Sequence, residues 1–309
     1  MKNIINYLRI LRIGHWPKQI FLIPGFIYAV FNIYKTGTNL SNEIIIFNIF
    51  ICVLITNFAS SANYCINEYL DSQYDKYHPL KKDRPSVKNK INPIILIFQY
   101  IFLCLFVIFL ASLVNNYFLF SILIFLLSGI IYNVRPFRTK DIKIIDVLSE
   151  SINNPIRLFL GYTVFLENFN IPVSLIMSYW FGGAFLMACK RLSEKIYLKD
   201  ENIVRKYRPS ISKYSLNSLK LHILIYSILS ILFLFIFLQN INIFYSFLSL
   251  IFILLFLDYY KLSIKLALDI QTPERLFLDM KYIFKIIVFF LLISLIVFIY
   301  ENNYLIIFH

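Results

Sequence analysis

The 309-residue chain is 59% hydrophobic and 18% aromatic, with a mean hydropathy of +0.71. Soluble domains hold roughly 45–50% apolar residues, so these values exclude a soluble globular domain and define an integral membrane protein. Thirty Lys and Arg against 17 Asp and Glu give a net charge of +13, but the cations cluster in alternate connections between apolar runs, which is the positive-inside bias and not a nucleic-acid surface.

Crossing a ~30 Å hydrocarbon core takes about 20 apolar residues. Nine candidate spans follow in order: 19–33, 43–70, 92–114, 117–133, 142–163, 171–189, 220–238, 242–260 and 281–299. The first is short, and the fourth and fifth are interrupted by polar residues. The expected fold is an all-α bundle of nine transmembrane helices in one domain over 1–309, with a cavity facing the cytoplasm. Lys2, Arg9, Arg12 and Lys18 precede the first span, and Lys76 to Lys90 follow the second. Further basic sets lie at Arg135 to Lys143, Lys190 to Lys220 and Lys261 to Lys281; of the opposite connections, only the one at Lys35 holds a cation. The N-terminus is therefore expected in the cytoplasm and the C-terminus outside, in a multi-pass protein of a bacterial plasma membrane. A cleavable signal peptide is not expected, because Trp16 and Pro17 precede the first run and no small-residue cleavage site follows.

Polar residues inside such a chain carry the chemistry. The second span ends in Asn67-Glu68-Tyr69-Leu70-Asp71-Ser72-Gln73-Tyr74-Asp75. Residues four apart stack on one helical face, so Asn67, Asp71 and Asp75, with Glu68 beside them, offer hard oxygens of the kind that hold Mg²⁺ together with substrate phosphate. The following His78-Pro79-Leu80-Lys81-Lys82-Asp83-Arg84-Pro85 supplies cations for phosphates that the metal does not reach. Lys190, Arg191 and Glu194 share one helical turn after the sixth span, where Glu194 would orient the two cations; snorkelling of Lys190 and Arg191 toward the interface is the plainer alternative. The fifth span carries Asp146, Glu150, Asn154 and Arg157 at spacings of four, four and three, which forms one stripe. Intramembrane charges are costly and line cavities or pair with one another, so Arg157 is either paired with Glu150 or Asn154 or anchors a phosphate. Asp258 is a weaker case of the same kind. Cys52, Cys65, Cys104 and Cys189 lack metal-ligand spacing and are read as packing residues. There is no GxGxxG, Walker loop or HExxH.

The acidic stretch resembles the Asn-Asp-x-x-Asp-x-x-x-Asp signature of the UbiA superfamily of intramembrane prenyltransferases, with Glu68 in place of the usual Asp. Tyr132, Pro136, Arg138 and Lys140 are similar to a Tyr-x-x-x-Pro-x-Arg-x-Lys loop of several branches. The polyprenyl-phosphate (decaprenyl-phosphate) phosphoribosyltransferase branch matches further. Its opening element is similar to Arg12 through Lys18, its His-Pro-Thr-Lys-Arg-x-Arg-Pro loop to His78–Pro85, and its Lys-Arg-x-x-Glu to Lys190, Arg191 and Glu194, with a faint match at Pro273-Glu274. Prenyltransferases of the superfamily carry a second Asp-x-x-x-Asp after span six; this chain has Arg191, Ser193 and Glu194 there.

The resemblance implies nine helices and a Mg²⁺-dependent transferase that moves 5-phosphoribosyl from phosphoribosyl diphosphate to a polyprenyl phosphate. The alternative is transfer of a prenyl group from a prenyl diphosphate to an aromatic or lipid acceptor. The metal set would be Asn67, Glu68, Asp71 and Asp75. Asp71, Asp75, Lys190 and Arg191 would act on the leaving group, and Lys18, Asn67, Lys81, Lys82, Arg84, Tyr132, Lys140, Arg157 and Glu194 would bind substrate. A transporter is disfavoured, since inverted repeats with matched helix-breaking Gly or Pro are absent. Oligomeric state is not legible.

Overall fold

The computed structural model describes residues 2–37, 40–88, 91–246 and 248–265. The expected ninth span, the Pro273-Glu274 match and Arg275 and Lys281 lie outside the described residues.

Every regular element among the described residues is helical. A short amphipathic helix α1 (Lys2–Ile10) leads into a 3₁₀ segment (Ile13–Leu22) and then α2 (Ile23–Lys35). The expected first span is thus a composite. Pro17 lies inside the 3₁₀ segment and Pro24 in the first turn of α2, and neither can donate a backbone hydrogen bond.

Helix α3 (Asn42–Asp75) starts where the Ser41 hydroxyl accepts the Ile44 N–H and continues for 34 residues. At ~1.5 Å per residue it is about 51 Å long, some 20 Å more than a ~30 Å hydrocarbon core needs. That length leaves about 20 Å, including the polar end, in excess of what a perpendicular crossing requires. Helices α4 (Pro93–Ser112) and α5 (Asn116–Asn133) are capped by Asn92 and Asn115, whose side chains accept the N–H groups of Ile94 and Phe118.

The expected fifth span is two helices, α6 (Ile145–Ser151) and α7 (Asn153–Thr163). Pro155 removes the donor that would carry the helix across this junction. Helix α8 (Val173–Leu198) runs past the apolar limit of 189, so Lys190, Arg191 and Glu194 are helical. Two short helices, α9 (Glu201–Tyr207) and α10 (Pro209–Ser212), form a cap before α11 (Leu216–Gln239), α12 (Ile243–Ser246) and α13 (Leu248–Lys265). Among the described residues five helices, α3, α4, α5, α8 and α11, are long and apolar enough to cross a membrane.

Two packed groups frame the molecule. Ile55, Ala59, Phe118, Ile122 and Leu160 form the core between α3, α5 and α7, with α4 against α3. Ala184, Phe185, Ala188, Leu219 and Ile223 form the second, where α8 lies along α11 with α13 against both. Gly25 and Gly161 bring α2 and α7 into backbone contact: a Cβ on Gly25 would strike the Leu158 carbonyl, and one on Gly161 the Leu22 carbonyl.

Candidate active site

A cavity of about 440 Å³ separates the two groups. From α3 it receives Ser60, Asn63, Tyr64 and Asn67; from α5 to α7, Asn133, Glu150, Asn153, Asn154 and Arg157. Lys18 enters from the 3₁₀ segment and Lys190 from α8. The opposite wall is apolar, built by Leu186 and Met187 of α8 and Phe252, Leu255 and Phe256 of α13. Glycines make room for two of the amides, since a Cβ at Gly129 would overlap the Asn63 side chain and one at Gly183 that of Asn154.

The basic connections after α3, α5 and α8 meet at one end of the cavity, and every carboxylate there is covered by a cation. Lys140 bonds both the Asp71 carboxylate and, at 3.3 Å, the Asn67 carbonyl oxygen; Arg138 donates to Asp71 at 3.1 Å. Arg84 pairs with Asp75. Glu68 accepts from Arg12 at 3.1 Å and from Ser86 at 3.2 Å.

The four expected metal ligands therefore do not converge. Asn67 and Asp71 share Lys140, whereas Glu68 and Asp75 meet different cations of other segments, Arg12 and Arg84. Each step of four residues turns the helix by about 40°, so Asp75 has rotated about 80° from Asn67, close to the direction of Glu68. Among the described residues no group of three or more His, Cys, Asp or Glu is arranged to hold a metal. The hard oxygens of Asn67 and Asp71, one turn apart at the cavity end, suit Mg²⁺ once Lys140 withdraws. Glu68 meets Arg12 and Ser86 where Asn67 and Asp71 meet Lys140.

Burial decides the character of the cations. It lowers Lys140 to about 8, although Asp71 opposes this, and lowers Lys81 to about 7 against the pull of Glu194. Burial would also lower Arg84, but Asp75, Glu68, Tyr207 and Asp71 together outweigh it and raise the group. Lys81 bonds the Tyr207 hydroxyl and lies 3.6 Å from Glu194. The Lys82 side chain is exposed and makes no hydrogen bond or ion pair among the described residues.

Arg191 is fully buried and its guanidinium is nearly saturated. It donates to Asp146 at 2.9 Å, Glu194 at 2.9 Å, Glu150 at 2.7 Å and the Tyr132 hydroxyl at 3.2 Å. With its donors turned to protein acceptors, Arg191 ties together α5, α6 and α8. Tyr132 in turn donates to Glu150 at 2.5 Å. Glu194 faces Arg191, Lys81 and Tyr207, as an orienting carboxylate would. Lys190 lines the cavity and makes no ion pair among the described residues.

Arg157 pairs with neither Glu150 nor Asn154. It donates to Gln19 at 3.2 Å and the Asn153 carbonyl at 3.2 Å and lies over the Phe125 ring. No carboxylate among the described residues neutralises it, which leaves a cation at the cavity wall.

Sequence reasoning missed Asn63, Asn133, Asn153 and Arg208. Asn63 was accessible by continuing the four-residue stride of Asp71 and Asn67 one step toward the N-terminus. Arg208, in a loop rich in cations, had no local signal.

A helical membrane bundle with a charged cavity between two packed halves is the architecture of an intramembrane transferase. The profile of the UbiA prenyltransferase family matches residues 26–285, and the chain belongs to that family. A UbiA homologue from Archaeoglobus fulgidus is 19% identical, with 94% of this chain and 99% of that one covered and a TM-score of 0.65. The same homologue bound to GPP and Mg²⁺ aligns over 86% and 99% at 19% identity, with a TM-score of 0.58. Digeranylgeranylglyceryl phosphate synthase aligns over 89% and 97% at 15% identity, with a TM-score of 0.56. At these identities the likeness establishes the fold. No curated protein matches the sequence significantly.

Proposed function

We propose that this family member transfers 5-phosphoribosyl from phosphoribosyl diphosphate to a polyprenyl phosphate, at the cytoplasmic face of a bacterial plasma membrane. The observation that carries the reading is the two-faced cavity. Amides of Asn63, Asn67, Asn133, Asn153 and Asn154, with Arg157, line one side. Amides donate and accept at once, which suits the hydroxyls of a sugar and gives an isoprenoid nothing to bind. The apolar wall of α8 and α13 would take the first isoprene units of the acceptor.

Mg²⁺, held by Asp71 and Asn67 with Asp75 nearby, would offset charge developing on the diphosphate. Lys140, Arg138 and Arg84, paired here with carboxylates, would turn to phosphate oxygens, and Lys81 and Lys190 would complete the anion-binding pocket. An acceptor phosphate oxygen attacks C1 of the ribose; the C1–O bond to diphosphate breaks, and diphosphate leaves with the bonding electrons. The attacking oxygen is already anionic, so no side chain need remove a proton. Lys18 and Arg157 would hold the acceptor phosphate.

A second reading, prenyl transfer from a prenyl diphosphate to an aromatic or lipid acceptor, draws on the apolar wall and on the GPP bound to the Archaeoglobus homologue. Purified protein with Mg²⁺ tests both. Labelled phosphoribosyl diphosphate with decaprenyl phosphate should yield a labelled lipid, and labelled geranyl diphosphate with an aromatic acid should not; the reverse result overturns the phosphoribosyl reading.

A further inference from the structure

Two buried arginines at the cavity end differ sharply in how well they are used. Arg191 meets three carboxylates and a hydroxyl. Among the described residues Arg208 has one hydrogen-bond partner, the Tyr132 hydroxyl, and stands 4.0 Å from Glu150; its side chain is 14% exposed, and its buried Nε meets no acceptor among them. A guanidinium presents five donors, and buried donors without acceptors are costly. The Nε–H of Arg208 is such a donor, held next to two residues that line the cavity.

The placement of Arg208 is not accidental slack in a loop. It is the extended linker between α9 and α10, with φ −149° and ψ 102°, a conformation that the following Pro209 enforces. Both flanks are tied to the bundle. Tyr207 donates to Glu194 at 3.3 Å, Ser210 to Asp146 at 3.1 Å, and Tyr214 to Asp146 at 2.8 Å. These anchors set the guanidinium beside Tyr132 and Glu150, both of which line the cavity.

We infer that Arg208 is a donor-phosphate ligand carried by the cap: Tyr132 and Glu150 hold it at the cavity end, and a diphosphate entering the cavity takes its fork of N–H groups. The inference rests on the reading of the cavity as a diphosphate site and adds the cap as its lid-side wall. Arginine suits the task because its planar donors match two phosphate oxygens at once, which lysine cannot do.

Calorimetric titration of the full-length protein in detergent with Mg²⁺ and inorganic diphosphate tests this. Arg208→Gln should weaken binding by about tenfold to a hundredfold, the range of a charge-assisted pair, and raise the donor KM more than it lowers kcat. Arg205→Gln, on the exposed face of α9, should bind as wild type. Equal binding by wild type and R208Q overturns the assignment of Arg208 while leaving the diphosphate site intact; failure of wild type to bind diphosphate overturns the site itself. Should R208Q not fold, R208K carries the test: a several-fold loss supports the fork, and unchanged affinity refutes it.

Discussion

Arg191 Nε and Asp146 Oδ2 lie 2.9 Å apart with both side chains fully buried, and the same carboxylate accepts from Ser210 and Tyr214. Asp146 thus joins α6 to α8 and to the cap. Removing one partner of a buried pair leaves an uncompensated charge, at a cost of about 3–5 kcal/mol. Asp146→Asn should lower the thermal midpoint in detergent markedly; a midpoint equal to wild type would show that the pair does not support the bundle.

The split of the acidic stretch makes its carboxylates unequal. Asp71→Asn, on the Asn67 side, should reduce transfer by more than about a hundredfold, the scale of losing an electrostatic group from a reacting centre. Glu68→Gln should reduce it far less, because Glu68 faces Arg12 and Ser86. Equal losses in initial-rate assays would restore Glu68 to the metal set.

Much of this site was legible before any coordinates, and the limits have physical causes. The acidic stretch, the two basic loops and the polar stripe of the fifth span all lie around one cavity end, because charge in an apolar chain is too costly to be placed idly. Convergence was not legible. Spacing fixes which residues share a helical face but not which cation from a distant loop meets them, so Asp75 with Arg84 and Asp71 with Lys140 could not be foreseen. The division of the fifth span at Ser151 to Asn153 was signalled by Pro155, but hydropathy alone averaged it away. The length of α8 was likewise masked, since its last turns are polar.

Arg157 offers a separable test of stability against function. A cation facing the cavity without a carboxylate costs stability in the ligand-free protein, and active sites commonly bear such costs. Arg157→Met should leave the thermal midpoint unchanged or raise it while transfer falls at least tenfold. A destabilised but active variant would make Arg157 structural.

At the α2–α7 contact, Gly161→Ala must push the Leu22 backbone aside. Overpacking of this kind costs about 1–3 kcal/mol. Gly14, with open space around its Cα, is the control: Gly14→Ala should leave the midpoint in place. Equal midpoints for wild type and G161A would contradict the close approach.

His78 gives the protein an acid sensitivity. Burial, then the positive charge of Lys81, lowers its pKa from 6.5 to about 4. The unfolded chain therefore binds the proton first as pH falls. Stability held by neutral His78 is complete above about 6.5 and drains away down to about 4, by roughly 3 kcal/mol at the limit. His78→Asn keeps an acceptor for the Leu80 N–H and should flatten the fall in midpoint between pH 6.5 and 4. An unchanged slope would place the titration elsewhere.

The 34-residue length of α3 has a consequence for logistics. Under the proposed reading, a rod longer than the oily layer would lift its working tip to headgroup height, so that a water-borne donor and a lipid-tethered acceptor would meet there with neither abandoning its own phase. Shortening that rod by two turns would sink the tip by about 11 Å and strand the soluble reagent above it.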